Sequence, residues 1–217
     1  MRVILFAAAA VFGVGPLSSA CAQSSSDSAA KARARADSAR LPYTTADIQF
    51  MTGMISHHAQ AIVMANMAPT HGASASVQTL CARIINAQND EIALMQNWLR
   101  DRNQPVPEAR PVPMKMMMNG QMMEMLMPGM LTPEQMKRLD AASGQEFDRL
   151  FLTGMIQHHQ GAVQMVQQLF ATPGAGQDEH VFKFANAVQV DQNTEIRRMQ
   201  QMLLSLEIST HAPPPAY

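Results

Sequence analysis

From residue 44 onward the apolar positions recur with a helical period. Ile48, Met51, Ile55, His58, Ile62 and Ala65 step by three and four, and Phe50, Met54, His57, Ala61 and Met64 form an adjoining stripe. Together they predict one helix with a wide core-facing surface. Thr44 stands before Asp47 in capping-box spacing, and Pro69 with Gly72 ends the helix. A second helix is predicted from about Ser74 to Asp101, with Val77, Leu80, Ile84, Gln88, Glu91, Met95 and Trp98 on one stripe. Val181, Phe184, Val188, Gln192, Glu195, Met199 and Met202 take the same steps farther along. Thr132-Pro133-Glu134 opens another helical stretch, interrupted near Ser143-Gly144 before a helix carrying His158.

The pattern is written twice. Asp47-Ile-Gln-Phe-Met-Thr-Gly53-Met54-Ile-Ser-His57-His58 returns 101 residues later as Asp148-Arg-Leu-Phe-Leu-Thr-Gly154-Met155-Ile-Gln-His158-His159. Gln88-Asn-Asp-Glu91-Ile-Ala-Leu-Met95 returns as Gln192-Asn-Thr-Glu195-Ile-Arg-Arg-Met199, offset by 104. A connecting loop absorbs the difference. Two duplicated helical hairpins, each too thin to bury its apolar face alone, predict an all-α four-helix bundle with antiparallel neighbours. The expected domain spans 44–208: hairpin 44–101, a Met-rich linker 102–131 and hairpin 132–208, followed by a flexible tail, 209–217. Gly53 and Gly154 each cost a helix about 1 kcal/mol relative to Ala, so their repetition predicts close helix approach there.

The first residues read differently. Arg2, the apolar run from Val3 to Val14, and the small residues ending at Ala20-Cys21-Ala22 describe a secretory signal peptide over 1–22. The run is too short for a membrane span of about 20 residues. The rival reading is a lipoprotein anchored at Cys21. Residues 23–43 lack an apolar face and read as a disordered tether. Export to the periplasm or beyond is the expectation, with no transmembrane span in the mature chain. Cleavage after Ala22 leaves Cys81 as the only thiol, which excludes an internal disulfide.

Composition narrows the function. The chain has 217 residues and a net charge of −1, which gives no electrostatic footprint for nucleic acid. It has no phosphate loop, Cys-x-x-Cys or zinc-protease helix, and no Ser-His-Asp logic. The outlier is methionine, with 20 residues. Nine lie between the hairpins, at Met114, Met116, Met117, Met118, Met122, Met123, Met125, Met127 and Met130. Thioethers are soft and select Cu(I), and secretion favours Met over Cys for copper handling. The alternative is adaptable gap-filling, but Pro113, Gly120, Pro128 and Gly129 argue against one regular packed helix.

The helical stripes also bury polar residues. Hairpin geometry brings His57 and His58 within about one turn of Gln88 and Glu91, and likewise His158 and His159 near Gln192 and Glu195. A hydrogen-bonded network that fixes register is one reading. Metal ligation is the other, with Met54 and Met155 at helical spacing from the His pairs and the Gln and Glu residues as further ligands or their supports. Adjacent His residues point about 100° apart on a helix, so one ion does not readily take both. Cys81 reads as a packed thiol, and His71 and His211 as exposed positions in a turn and a tail.

The duplicated Gly-Met-Ile-x-His-His, each copy followed by Gln-Asn-x-Glu-Ile-x-x-Met, resembles the family called domain of unknown function 305 (DUF305) over roughly residues 45 to 208. The resemblance implies a ferritin-like all-helical bundle in exported proteins, and kinship with CopM-type copper-binding proteins of copper resistance. Carried over, the motif positions are Met54, His57, His58, Met155, His158 and His159.

The favoured function is non-enzymatic: an exported protein that binds copper, chiefly as Cu(I), for sequestration, transfer or tolerance, with other periplasmic copper proteins as partners. The first alternative is a ferritin-like di-metal oxidase or storage protein using iron or manganese in the His/Glu layer. That layer is poor in carboxylates for such chemistry and lacks the Glu-x-x-His spacing. The second alternative is a structural helical bundle that binds a partner protein.

Overall fold

Capping chemistry sets where the helices begin. Thr44 and Asp47 form a reciprocal capping box at the start of helix α1, Thr45–Asn66. The Ser74 side chain accepts from Val77 N–H at the start of α2, Ala75–Asp101. A second capping box, Thr132 with Gln135, opens the short α3, Pro133–Asp140, with Pro133 in the first turn. Helix α4 spans Gly144–Ala171 and α5 spans Glu179–His211. These elements come from a computed structural model that describes residues 42–118 and 121–211, the side chains of 115–118 and 209–211 excepted. The expected signal peptide, the Cys21 anchor, nearly all of the tether and tail residues 212–217 lie outside the described residues. Tyr43, at the end of the expected tether, packs edge-on against Trp98, and residues 209–211 still belong to α5.

The chain is mostly helical, as its periodicity predicts. One segment departs from this. Within the Met-rich linker, β1 (Met114–Met118) pairs antiparallel with β2 (Gln121–Met125), in the register Met114 to Met125, Met116 to Met123 and Met117 to Met122. The sequence argues only against one regular packed helix here and carries no strand signal, because Met lacks the β-branched, alternating pattern that marks a strand. Among the described residues no helix is long and apolar enough to cross a membrane.

Helix directions follow from which residues meet. Tyr43 reaches Trp98 while His58 reaches Glu91, so α1 and α2 run antiparallel. Phe170 meets Phe182 while His159 meets Glu195, so α4 and α5 do too. Between the pairs, the position of Gly53 faces Met165, the His57 ring meets that of His158, and Gly154 faces Met64, so α1 and α4 also cross antiparallel.

The core is divided. One apolar cluster holds Phe50, Met51, Met54, Met95, Trp98, Val166 and Val181. The other holds Met64, Leu80, Ile84, Phe147, Phe151, Met155 and Met199. Between them in sequence along every long helix stand buried polar residues: His57 and His58, Gln88, His158 and His159, and Gln192.

Two buried aspartates tie the ends together reciprocally. Asp47 accepts the Gly176 N–H at 2.7 Å from the α4–α5 turn, and Asp148 accepts the Ser74 N–H at 3.2 Å from the α1–α2 turn. His71 is not an exposed turn residue. It is half-buried, its ring lies 5.1 Å from Phe147, and its Nε2 lies 2.8 Å from the Asp140 carbonyl at the end of α3.

Candidate metal centre

The polar layer is a row of four imidazoles. His57 and His158 meet at its centre with ring centroids 3.8 Å apart and planes tilted by 37°, flanked by His58 at 6.3 Å from His57 and His159 at 6.2 Å from His158. All four are buried. His58 Nε2 lies 2.6 Å from Glu91 and His159 Nε2 lies 2.6 Å from Glu195, so both expected His–Glu partnerships form, on the outer member of each pair. The two carboxylates are only part-buried, and each closes one end of the row.

The inner pair bonds to backbone instead. His57 Nε2–H donates to the Pro128 carbonyl at 2.9 Å, and His158 Nε2–H donates to the His57 carbonyl at 3.0 Å. A carbonyl only accepts, so both rings carry the proton on Nε2 and leave a bare lone pair on Nδ1. Burial holds the His57 pKa down to about 3, and the His58 and His159 imidazoles add to this against the opposing pull of the Pro128 carbonyl. His158 also sits well below the ordinary value, first through burial and then through its three imidazole neighbours. The four Nδ1 atoms, both amide atoms of Gln88 and the Gln192 Oε1 have no hydrogen-bond partner among the described residues. The amides therefore do not join the His–Glu pairs as the helical spacing suggested. Among the described residues no three His, Cys, Asp or Glu side chains converge as an ion-binding group.

Methionines gather elsewhere, where the linker returns across α1 and α4. Its root is held by backbone contacts. Gln60 grips Leu131 through both amide atoms, donating to its carbonyl at 3.0 Å and accepting its N–H at 2.7 Å. Gly161, the repeat counterpart of Gln60, lies against Pro128 so closely that an added Cβ would fall 1.9 Å from the Pro128 oxygen. Gly129 has φ +78°, and a Cβ there would fall 2.6 Å from the Gln157 carbonyl. With Pro128–Leu131 so seated, Met127 is laid over α1.

Gly53 is the cradle for that approach. A Cβ at Gly53 would sit 2.7 Å from Met114 Cε, 3.1 Å from Met127 Sδ and 3.6 Å from Met165 Cε. Three thioether side chains thus meet around one point that any other residue would fill. They border a cavity of about 500 Å³, which Met125 also lines, together with Phe50, Leu126, Leu169 and, at its polar positions, Gln49, Gln164, Gln168 and Thr172. No charged side chain lines it among the described residues. The close helix approach expected at Gly53 and Gly154 is therefore an approach of side chains: Met114, Met127 and Met165 at the first, Leu131 and Met64 at the second.

The remaining sequence candidates divide by burial. Met54 and Met155 are wholly buried in the two apolar clusters. Met130 is buried as well, whereas Met122 and Met123 are exposed on β2. Met116, Met117 and Met118 are placed by their backbone pairing alone, their side chains lying outside the described part. Met165, outside the linker tract, carries no sequence signal that sets it apart from an ordinary buried methionine. Cys81 is a buried thiol that burial, and then the Asp148 carboxylate, push up to about 12, which leaves it a poor metal ligand.

Residues 47–203 match the family model described as domain of unknown function (DUF305). The fold resembles a DUF305 protein of Streptomyces coelicolor presumed to be secreted, with a TM-score of 0.62 and 27% identity over 79% of this chain and 98% of that one. A DUF305 fragment from Deinococcus radiodurans gives a TM-score of 0.62 and 28% identity over 75% of this chain and 98% of the other. CopM in its Cu(I)-bound form gives 0.55 and 28% over 73% of this chain and 96% of that one, and CopM has also been solved with Cu(II) and with Ag. No curated protein matches the chain by sequence.

Proposed function

The chain belongs to the DUF305 family, and from that premise we propose that it is an exported, non-enzymatic protein that binds Cu(I) for sequestration or transfer. On this reading two duplicated hairpins form a ferritin-like four-helix bundle, and the methionine-bearing linker folds back over it to complete the cargo site. The carrying observation is the cavity against Gly53, which Met114, Met125, Met127 and Met165 line with four thioethers and, among the described residues, no carboxylate or imidazole. Thioether sulfur favours a soft monovalent ion, and a site without anionic ligands offers little to a hard divalent one. The similarity to CopM, solved with Cu(I), Cu(II) and Ag, supports the same class of cargo. The His row is then chiefly a register-fixing layer, since its members bond to carbonyls and carboxylates of the fold itself.

Competitive Cu(I) titration of the mature protein tests this. A Met114→Leu/Met127→Leu variant should bind about tenfold or more weakly, a loss of roughly 1.4 kcal/mol per decade. Equal affinity in that variant and the parent would overturn the cavity as the site. Tight iron or manganese that survives those substitutions and vanishes in Glu91→Ala would instead favour the di-metal reading of the His/Glu layer.

A further inference from the structure

Resting on the Cu(I) reading above, we propose that Met125 is an oxidation-sensitive switch on the cavity, its sulfoxidation by hydrogen peroxide releasing the soft ion. Among the described side chains of the hairpin, three methionines face solvent: Met122 is 62% exposed, Met123 47% and Met125 42%. Of these only Met125 also lines the cavity. The other methionines of the cavity are better protected, with Met127 at 5% and Met165 at 7%, and Met114 half-buried over Gly53. Met125 therefore couples a solvent-exposed thioether residue to the proposed ligand set.

The step balances simply. A sulfur lone pair of Met125 attacks the peroxide, the O–O bond breaks, an S–O bond forms, and the oxidant leaves as water. Sulfur loses two electrons and the peroxide gains them. The product has one fewer lone pair on sulfur and a polar oxygen, so it is a poor soft ligand. It is also poorly housed beside Phe50, Leu126 and Leu169. Met125 stands at the base of the ladder, opposite Met114, so turning its sulfoxide toward water withdraws a ligand from the cavity mouth. Enzymatic reduction of the sulfoxide restores the thioether. Linkage makes the effect reciprocal, because an ion that occupies the Met125 lone pair shields it from the oxidant.

The experiment treats the mature protein with limiting hydrogen peroxide, with and without the redox-inert soft ion Ag(I). Sulfoxides are mapped by peptide mass spectrometry, and Cu(I) affinity is titrated before and after. Met122, Met123 and Met125 should oxidise well before Met51, Met54 and Met64, and Ag(I) should slow oxidation at Met125 but not at Met122. Affinity should fall about tenfold on oxidation and recover after treatment with methionine sulfoxide reductases. In Met125→Leu the peroxide-dependent loss should shrink. Unchanged affinity with Met125 fully oxidised, or an equal peroxide-dependent loss in Met125→Leu, would overturn the switch while leaving the copper site standing. Failure of the untreated protein to take up either ion would overturn the copper reading and the switch with it.

Discussion

His57 shows how much one buried imidazole can bias the stability of this fold. Its Nε2 proton is committed to the Pro128 carbonyl, and a second proton would have to enter a buried row beside three further imidazoles. Its pKa is about 3 in the folded chain, against an ordinary value near 6.5 when unfolded. Between those values the unfolded chain binds the extra proton and the folded one does not. Stability is therefore full above about pH 6.5 and falls as pH drops toward 3, by about 1.4 kcal/mol per unit for this group at the steepest. His158, shifted in the same direction, adds to the slope. Urea denaturation at a series of pH values should show the decline, and His57→Gln, which keeps a donor for Pro128 without the titration, should flatten it. An equally steep decline in that variant would exclude His57 as its source.

At the scale of elements, the helices were legible because their apolar stripes are long and strictly periodic, and the caps at Thr44 and Thr132 stand where the sequence places them. The His–Glu pairs were legible for the same reason, since hairpin geometry brings residue 58 within about one turn of residue 91. What escaped was everything that depends on the linker's path. No local signal says that Pro128–Leu131 crosses α1 and α4, so nothing in the sequence marks Met165 or Gly161 as a contact of the linker. Asp47 was legible as a cap but not as the acceptor for Gly176, because that contact joins residues 129 apart. These tertiary contacts carry predictions. Gly161→Ala pushes a methyl into the Pro128 carbonyl, where the obstacle is backbone and cannot rotate away. It should destabilise the chain by about 1–3 kcal/mol and weaken Cu(I) binding by lifting Met127, both measurable by denaturation and titration. Asp47→Ala and Asp148→Ala each strand a turn N–H and should each cost about 1–3 kcal/mol. Midpoints indistinguishable from the parent would show that the turns do not depend on them.

Over the whole molecule, the two halves repeat in sequence but not in use. Gln60 grips the linker with its amide while its counterpart Gly161 makes room for it, and His57 bonds to the linker while its counterpart His158 bonds to α1. A single linker can lie across the crossing helices in only one direction, so it breaks whatever symmetry the repeats impose. The consequence is clearest at the two glycines. Over Gly154 the space is taken by Leu131 with Met64, a packed apolar contact. Over Gly53 it is bordered by Met114, Met127 and Met165, beside the cavity. Met64 and Met165 occupy the same place in the repeat, and both are buried, yet only Met165 faces other thioethers at its glycine. Leu is close to Met in volume, so either substitution should cost less than about 1.5 kcal/mol in stability. Met165→Leu should nevertheless lower Cu(I) affinity about tenfold, while Met64→Leu should leave it unchanged. Equal losses from the two would mean that the ion reads the repeat rather than the linker, and would move the site from the Gly53 cavity into the shared helical core.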